Sequence, residues 1–208
     1  MKLYYSPAAC SLAPHIALEE SGLSYELVKV DLRTHKLGNG IDYYTIDPKG
    51  YVPVLELDDG ERLSEAAVIL QYIADNKPGT LAPAYGTMER YRLNEWLNFI
   101  ATEIHKQFGP LWHDETPEPT KATQRATLGK RFELIEETLA KQPYLTGSAF
   151  TIADAYLFTV TRWAGPLKVD LTPFPALRKF QERAGGRPKV YSALRAEGLV
   201  KHSAPAVA

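Results

Sequence analysis

The 208-residue chain has a single cysteine, Cys10. No internal disulfide can form, so the fold is not expected to depend on an oxidising compartment. Long apolar runs are missing as well. None approaches the ~20 residues that a membrane-spanning helix needs, and no charged segment leading into an apolar stretch opens the chain at Met1-Lys2-Leu3-Tyr4-Tyr5. A cytoplasmic location with no membrane partner is the expectation. Charge of one sign is also lacking, with 24 Lys+Arg against 25 Asp+Glu. Residues 1–80 are net acidic and residues 81–208 net basic, which points to two compositional units. The basic residues of the second, such as Arg125, Lys130, Arg131 and Lys141, are scattered at solvated helical spacing without interleaved aromatics, so no nucleic-acid partner is expected. Phosphate-cradling glycine motifs and the G-x-S-x-G elbow are absent, which removes nucleotide and serine-hydrolase chemistry. His105 and His113 lie eight apart without a third ligand at usable spacing, so neither a metal nor a bound cofactor is expected.

What is present, 45% hydrophobic residues in a chain of this length, suits a globular protein with one or two cores. Period-2 and helical patterns alternate at first: Lys2 to Tyr5 reads as a strand, Ser11 to Ser21 as a helix, Tyr25 to Val30 as a strand. Pro14 is tolerated in a first turn, and Ser21-Gly22 ends the helix. A loop of turn residues, Lys36 to Gly40, precedes a hairpin over Val54 to Leu57 and Glu61 to Leu63 with Asp59-Gly60 at its tip. A helix capped by Ser64 then runs to about Asn76. The breaker-rich stretch around Pro78, Gly79 and Pro83 marks a linker over 78–86 between a domain at 1–77 and a helical one at 87–208. In the latter, Leu93, Leu97, Ile100, Ile104, Phe108 and Leu111 step by three or four, predicting one long helix from about Thr87 to His113. Further helices are predicted over Thr120 to Lys141, from a Thr151/Asp154 capping box through Trp163, and over Ala176 to Ala184 and Pro188 to Arg195.

Three positions invite chemistry. Cys10 follows a strand at the edge of a helix start, where free N–H groups and the helix dipole favour thiolate over thiol; the alternative is a buried cysteine acting as a small apolar residue. Cys10-Ser11-Leu12-Ala13 has the first cysteine of a thioredoxin-type C-x-x-C but no resolving one, so an external thiol must clear any adduct. Val52-Pro53 stands where thioredoxin-like domains carry a cis-proline that leaves the preceding backbone able to pair with an extended peptide. Glu65 and Ala66 open a helix, where N–H groups can bind a carboxylate and the Glu65 side chain an amine, as an α-amino acid end requires; plain helix capping is the alternative. On the long helix, Asn98, Thr102, His105 and Gly109 share one face, and Glu103 points away from His105.

These residues bring the chain into resemblance with bacterial glutathione S-transferases of the cysteine-containing beta class, across essentially its whole length. The likeness rests on Tyr4-Tyr5-Ser6-Pro7-Ala8-Ala9-Cys10-Ser11-Leu12, on Asp47-Pro48-Lys49-Gly50-Tyr51-Val52-Pro53, on Ile100 to Lys106, on Phe150 to Phe158 and on Ala196-Glu197-Gly198-Leu199. It implies an α/β thioredoxin-like domain followed by an all-α helical bundle domain, assembled as a homodimer.

The resemblance further implies that Cys10 faces the glutathione sulfur, with His105 and Lys106 approaching from the helical domain, and that Tyr5 or Ser11 can assist as thiol activators. Val52, beside Pro53, would pair with the glutathione backbone, while Glu65 and the Ala66 N–H would hold the γ-glutamyl end. Lys36 or its neighbour His35 would take the glycine carboxylate, and Glu103 of the partner subunit the far amine. Ala66 departs from the family's acidic-Ser pair and removes one hydroxyl contact. A hydrophobic electrophile would sit between the domains against Pro7, Ala9, Phe108, Trp112, His113 and Trp163, aromatics that could equally be core. The function implied is glutathione transfer to such electrophiles, with thiol–disulfide exchange through Cys10; the alternative is a binding module that kept the scaffold without the chemistry.

Overall fold

A computed structural model describes residues 1–200; the end of the predicted 87–208 domain, residues 201–208, lies outside the described residues. The chain divides into two compact units, Met1–Leu81 together with the described residues from Gly186 onward, and Ala82–Gly185.

In the first unit β1 (Lys2–Tyr5), α1 (Leu12–Ser21) and β2 (Glu26–Asp31) make a β-α-β start, followed by β3 (Lys36–Leu37), β4 (Val54–Glu56), β5 (Arg62–Ser64) and α2 (Ala66–Asp75). The sheet order is β3-β2-β1-β4-β5, with β1 parallel to β2 and the other pairs antiparallel. Lys36 and Leu37, expected in a loop, pair with Asp31 and Val30 as a short edge strand. Gly22 ends α1 in the left-handed region at φ 69°, a conformation glycine adopts without a Cβ penalty. The β4–β5 turn is a three-residue loop in which Gly60 N–H donates to Leu57 O and Leu57 N–H to Glu61 O, with Gly60 at φ 89°.

Leu12 to Leu18 of α1 are all buried, so α1 needs no polar face. The reason is α8 (Pro188–Ala196), which packs against α1 together with α2. Arg187 grips Glu20 of α1 with two hydrogen bonds, 2.6 and 2.9 Å. The sequence placed this last helix in the helical domain; its apolar side, Val190, Ala193 and Leu194, instead completes the core of the first unit.

The second unit holds α3 (Met88–Phe99), α4 (Lys106–Phe108), α5 (Glu118–Leu139), α6 (Ile152–Thr161) and α7 (Pro175–Gly185). The apolar stripe Leu93, Leu97, Ile100, Ile104, Phe108 and Leu111 is buried as its spacing predicts. The long helix is not uniform, however: Ile100–His105 form a π-helical stretch and Gly109–Trp112 a 3-10 turn. π-helical turns inside a helix are rare and concentrate at functional sites, and the straight-helix spacing of 100° applies across neither stretch.

Every residue of α6 is buried. Its Thr159 and Thr161 hydroxyls donate to carbonyls one turn back, at 2.9 and 2.7 Å, so no polar group is stranded there. The predicted capping box is present: Asp154 accepts from Thr151 N–H at 2.8 Å, from Thr151 Oγ1 at 2.7 Å and from Leu145 N–H at 2.9 Å. The Glu136 carboxylate of α5 caps α7 by accepting from Ala176 and Leu177 N–H.

Candidate functional site

In the first unit the loop from β1 to α1 carries Cys10. Ala9 N–H donates to Ser6 O, and the buried Ser11 hydroxyl both donates to Ser6 O and accepts from Ser6 N–H, each at 3.2 Å. Ser11 therefore closes the loop, and its hydroxyl is spent there rather than directed at a ligand. Tyr5 is likewise taken up in packing, 8% exposed against the His15 ring, its phenol held above the usual range by burial and by Glu197. Ala9, expected in an electrophile pocket, packs on the core of Tyr4, Val30, Leu37, Tyr43, Val52 and Val54.

Cys10 is half-buried, and its Sγ donates to Val52 O at 3.1 Å. Burial pushes the thiol up to about 12, outweighing the Cys10 and Ser11 backbone N–H groups that pull it down, and the Glu65 charge adds to the rise. The expected preference for thiolate is thus reversed, and in the free protein Cys10 is a hydrogen-bonded thiol. Val52 lies just outside the β4 ladder, and its peptide bond to Pro53 is cis, as the sequence suggested.

Glu65, not Ser64, is the residue before α2; Ser64 belongs to β5. Glu65 has φ 69°, a strained conformation for a residue with a side chain. Its carboxylate accepts from Lys49 Nζ at 2.7 Å, and Lys49 also donates to Ser64 Oγ at 3.0 Å. The Lys49 contact was not singled out from the sequence, because nothing local brings a turn lysine to a helix start sixteen residues on. Of the two candidates for a glycine carboxylate, Lys36 is exposed on β3. His35 has φ 51° and lays its ring on Tyr44 at 4.6 Å, with Nδ1 buried and without a hydrogen bond.

In the second unit, His105 Nδ1 lies 2.7 Å from Tyr156 Oη on α6, and Glu103 accepts from Arg131 Nε on α5 at 2.8 Å. The two side chains diverge towards different helices. Tyr156 and Arg131 are further residues the sequence did not single out; each is distant along the chain. His105, Phe108 and Trp112 each meet the Trp163 ring edge-to-face, at 5.0, 5.6 and 5.8 Å. Phe108 and Trp163 are buried, forming the floor of this cluster rather than a lining, whereas Trp112 is 51% exposed. A cavity of about 750 Å³ runs along His105, Lys106, Gln107, Trp112, His113 and Gln124. No group of three or more His, Cys, Asp or Glu side chains able to hold a metal occurs among the described residues.

Comparison with known proteins identifies the family. Residues 8–76 match the glutathione S-transferase N-terminal domain model and residues 99–188 the C-terminal domain model. Glutathione S-transferase GstA of Escherichia coli O157:H7 is 50% identical over 96% of this chain and 100% of its own length. The ternary complex of BphK, a bacterial glutathione S-transferase, superposes with a TM-score of 0.94 at 52% identity, covering 96% of this chain and 100% of that one. A sphingomonad glutathione S-transferase complexed with glutathione gives 0.92 at 44% identity, over 96% and 100%. The chain, with its thioredoxin-like sheet, cis-proline and helical unit, belongs to the glutathione S-transferase family.

Proposed function

We propose that the protein binds glutathione and transfers its sulfur to a hydrophobic electrophile. The observation that carries this reading is the placement of Cys10 Sγ on the carbonyl of Val52, immediately before the cis-proline, in a chain half identical to a glutathione S-transferase along its length. An extended tripeptide pairing with the Val52 backbone brings its central sulfur towards Cys10, and the Glu65 carboxylate and Ala66 N–H take its amino acid end. In the transfer step the glutathione thiol gives up its proton to solvent water, the thiolate attacks the electrophilic carbon, and the leaving group departs with its bonding pair. A protonated Cys10 suits this step, since its S–H can donate to a thiolate. His105 is proposed as the helical unit's catalytic contribution, Lys106 as a contact to glutathione, and the cavity beside Trp112 and His113 as the electrophile's wall.

Disulfide exchange is the second chemistry of the same site: a Cys10 thiolate attacks one sulfur of oxidised glutathione, and reduced glutathione leaves. With its thiol held up to about 12, Cys10 offers little thiolate near neutrality, which slows this step. We further propose a cytoplasmic homodimer in which Glu103 of the partner subunit reaches the ligand's amine, and a role in detoxification.

The test compares turnover on an aryl halide and on a mixed disulfide of glutathione, for the wild type and Cys10→Ala. Conjugation is expected in both proteins. A glutathione adduct, read by intact mass after incubation with oxidised glutathione, is expected in the wild type alone. An absence of conjugation in both would favour a binding module without chemistry.

A further inference from the structure

The loop that leads into the cis-proline carries a cation, Lys49, that meets the start of α2. Lys49 lies in a turn closed by Gly50 N–H to Asp47 O at 2.9 Å, and the buried Asp47 carboxylate accepts from Tyr51 N–H at 3.1 Å. Gly50 is fixed in turn. It has φ 68°, and a Cβ there would meet Tyr44 at 2.6 Å and His35 at 2.9 Å. The Lys49 backbone is thus anchored on both sides. Across from it, Glu65 is anchored between β5 and α2 at positive φ. The Lys49 ammonium bridges Ser64 Oγ and Glu65 Oε1 and, as a three-proton donor, keeps one N–H beyond these two bonds. Both side chains stay open to solvent, 42% and 71% exposed. An ion pair this exposed contributes little to folding, so its consequence is felt by whatever docks there.

A γ-glutamyl end carries an ammonium and a carboxylate on one carbon. If Glu65 takes the ammonium, the ligand's carboxylate is drawn to within a few ångströms of the Glu65 carboxylate, and like charges at that range repel. Ala66 has no hydroxyl to offset this, only its backbone N–H. A cation held beside Glu65 changes the balance: Lys49, Glu65, ligand ammonium and ligand carboxylate then alternate in sign around a closed ring.

We propose that Lys49 is a specificity-determining residue of the glutathione site, donating to the α-carboxylate of the γ-glutamyl end and screening it from Glu65. This rests on the reading that the γ-glutamyl end docks at Glu65. The Glu65 hydrogen bond that holds the Lys49 ammonium above its ordinary range agrees with a permanently charged donor.

The test measures KM for glutathione and for 4-aminobutyryl-cysteinyl-glycine, which keeps the amine and lacks the α-carboxylate, in the wild type, Lys49→Met, Lys49→Arg and Glu65→Gln. Lys49→Met is expected to raise KM for glutathione by about tenfold, the scale of one charge-assisted hydrogen bond. KM for the analogue is expected to stay at its wild-type value, and Lys49→Arg to restore most of the preference for glutathione. Equal rises for both ligands would overturn the proposal, leaving Lys49 as a support of Glu65 only, and so would no rise for either. Glu65→Gln separates the two levels. If it raises KM while Lys49→Met does not, only the role of Lys49 fails; if it leaves KM unchanged, the docking of the γ-glutamyl end at Glu65 fails.

Discussion

Glu197 Oε1 lies 2.8 Å from His15 Nδ1, with both side chains fully buried, and its other oxygen accepts from Ala8 N–H at 3.0 Å. A residue just past α8 therefore holds the loop that ends at Cys10. Ala8, at φ 63°, is kept in the left-handed region by this contact and by its neighbours. Glu197→Ala removes the carboxylate that meets both a buried imidazole nitrogen and the Ala8 N–H. We expect a loss of about 3 kcal/mol and a fall in Tm of about 6–12 °C, given ~2–4 °C per kcal/mol for a chain of this size. Calorimetry or urea unfolding of the variant checks this; a stability equal to wild type would contradict it.

Cys10 reactivity gives a prediction with a definite pH profile. Because burial holds the thiol up to about 12, the rate of alkylation by iodoacetamide in the free protein should climb about tenfold per pH unit from neutrality through pH ~10 without levelling off. A free cysteine levels off near its ordinary value of ~8.5. A plateau near neutrality would show a thiolate and contradict the buried, Val52-bonded thiol.

Asp154 sets the sign of a second pH effect. Burial raises its carboxyl from 3.8 to about 6, against the hydrogen bonds from Leu145 and Thr151 that lower it. A folded-state value above the unfolded one means that its contribution to stability is complete below the unfolded value and is lost as pH rises through about 6. The difference in unfolding free energy between wild type and Asp154→Asn should therefore shift against the wild type by about 2 kcal/mol between pH ~4 and ~7. Urea unfolding of both proteins across that range measures it, and a constant difference would contradict it.

The parts of this protein that were legible in the sequence are those set by local pattern. The β-α-β start, the Leu93-to-Leu111 stripe and the Thr151/Asp154 box follow from spacings of a few residues, which a chain encodes directly. The π-helical stretch at Ile100–His105 was not legible, because its apolar spacing is also that of an ordinary helix. Nor was the membership of α8, whose amphipathic pattern states that it packs but not on what. At the site, Cys10 and the cis Val52–Pro53 bond were recognisable from position in the strand order. The protonation of Cys10 stayed open between two readings, since the helix-start N–H groups favour thiolate while burial, which outweighs them here, favours thiol. Lys49, Arg131 and Tyr156 escaped for one shared reason: each meets its partner across a tertiary contact that no short-range pattern records.

The measurement that bears most directly on the proposed activity is an equilibrium titration of the reduced protein with glutathione, read by calorimetry. One glutathione should bind per chain, saturating within the ~1 μM–1 mM range in which enzymes hold their substrates, and Glu65→Gln should weaken it. No saturable binding to the wild type in that range would contradict a glutathione-dependent transferase, whatever the fold.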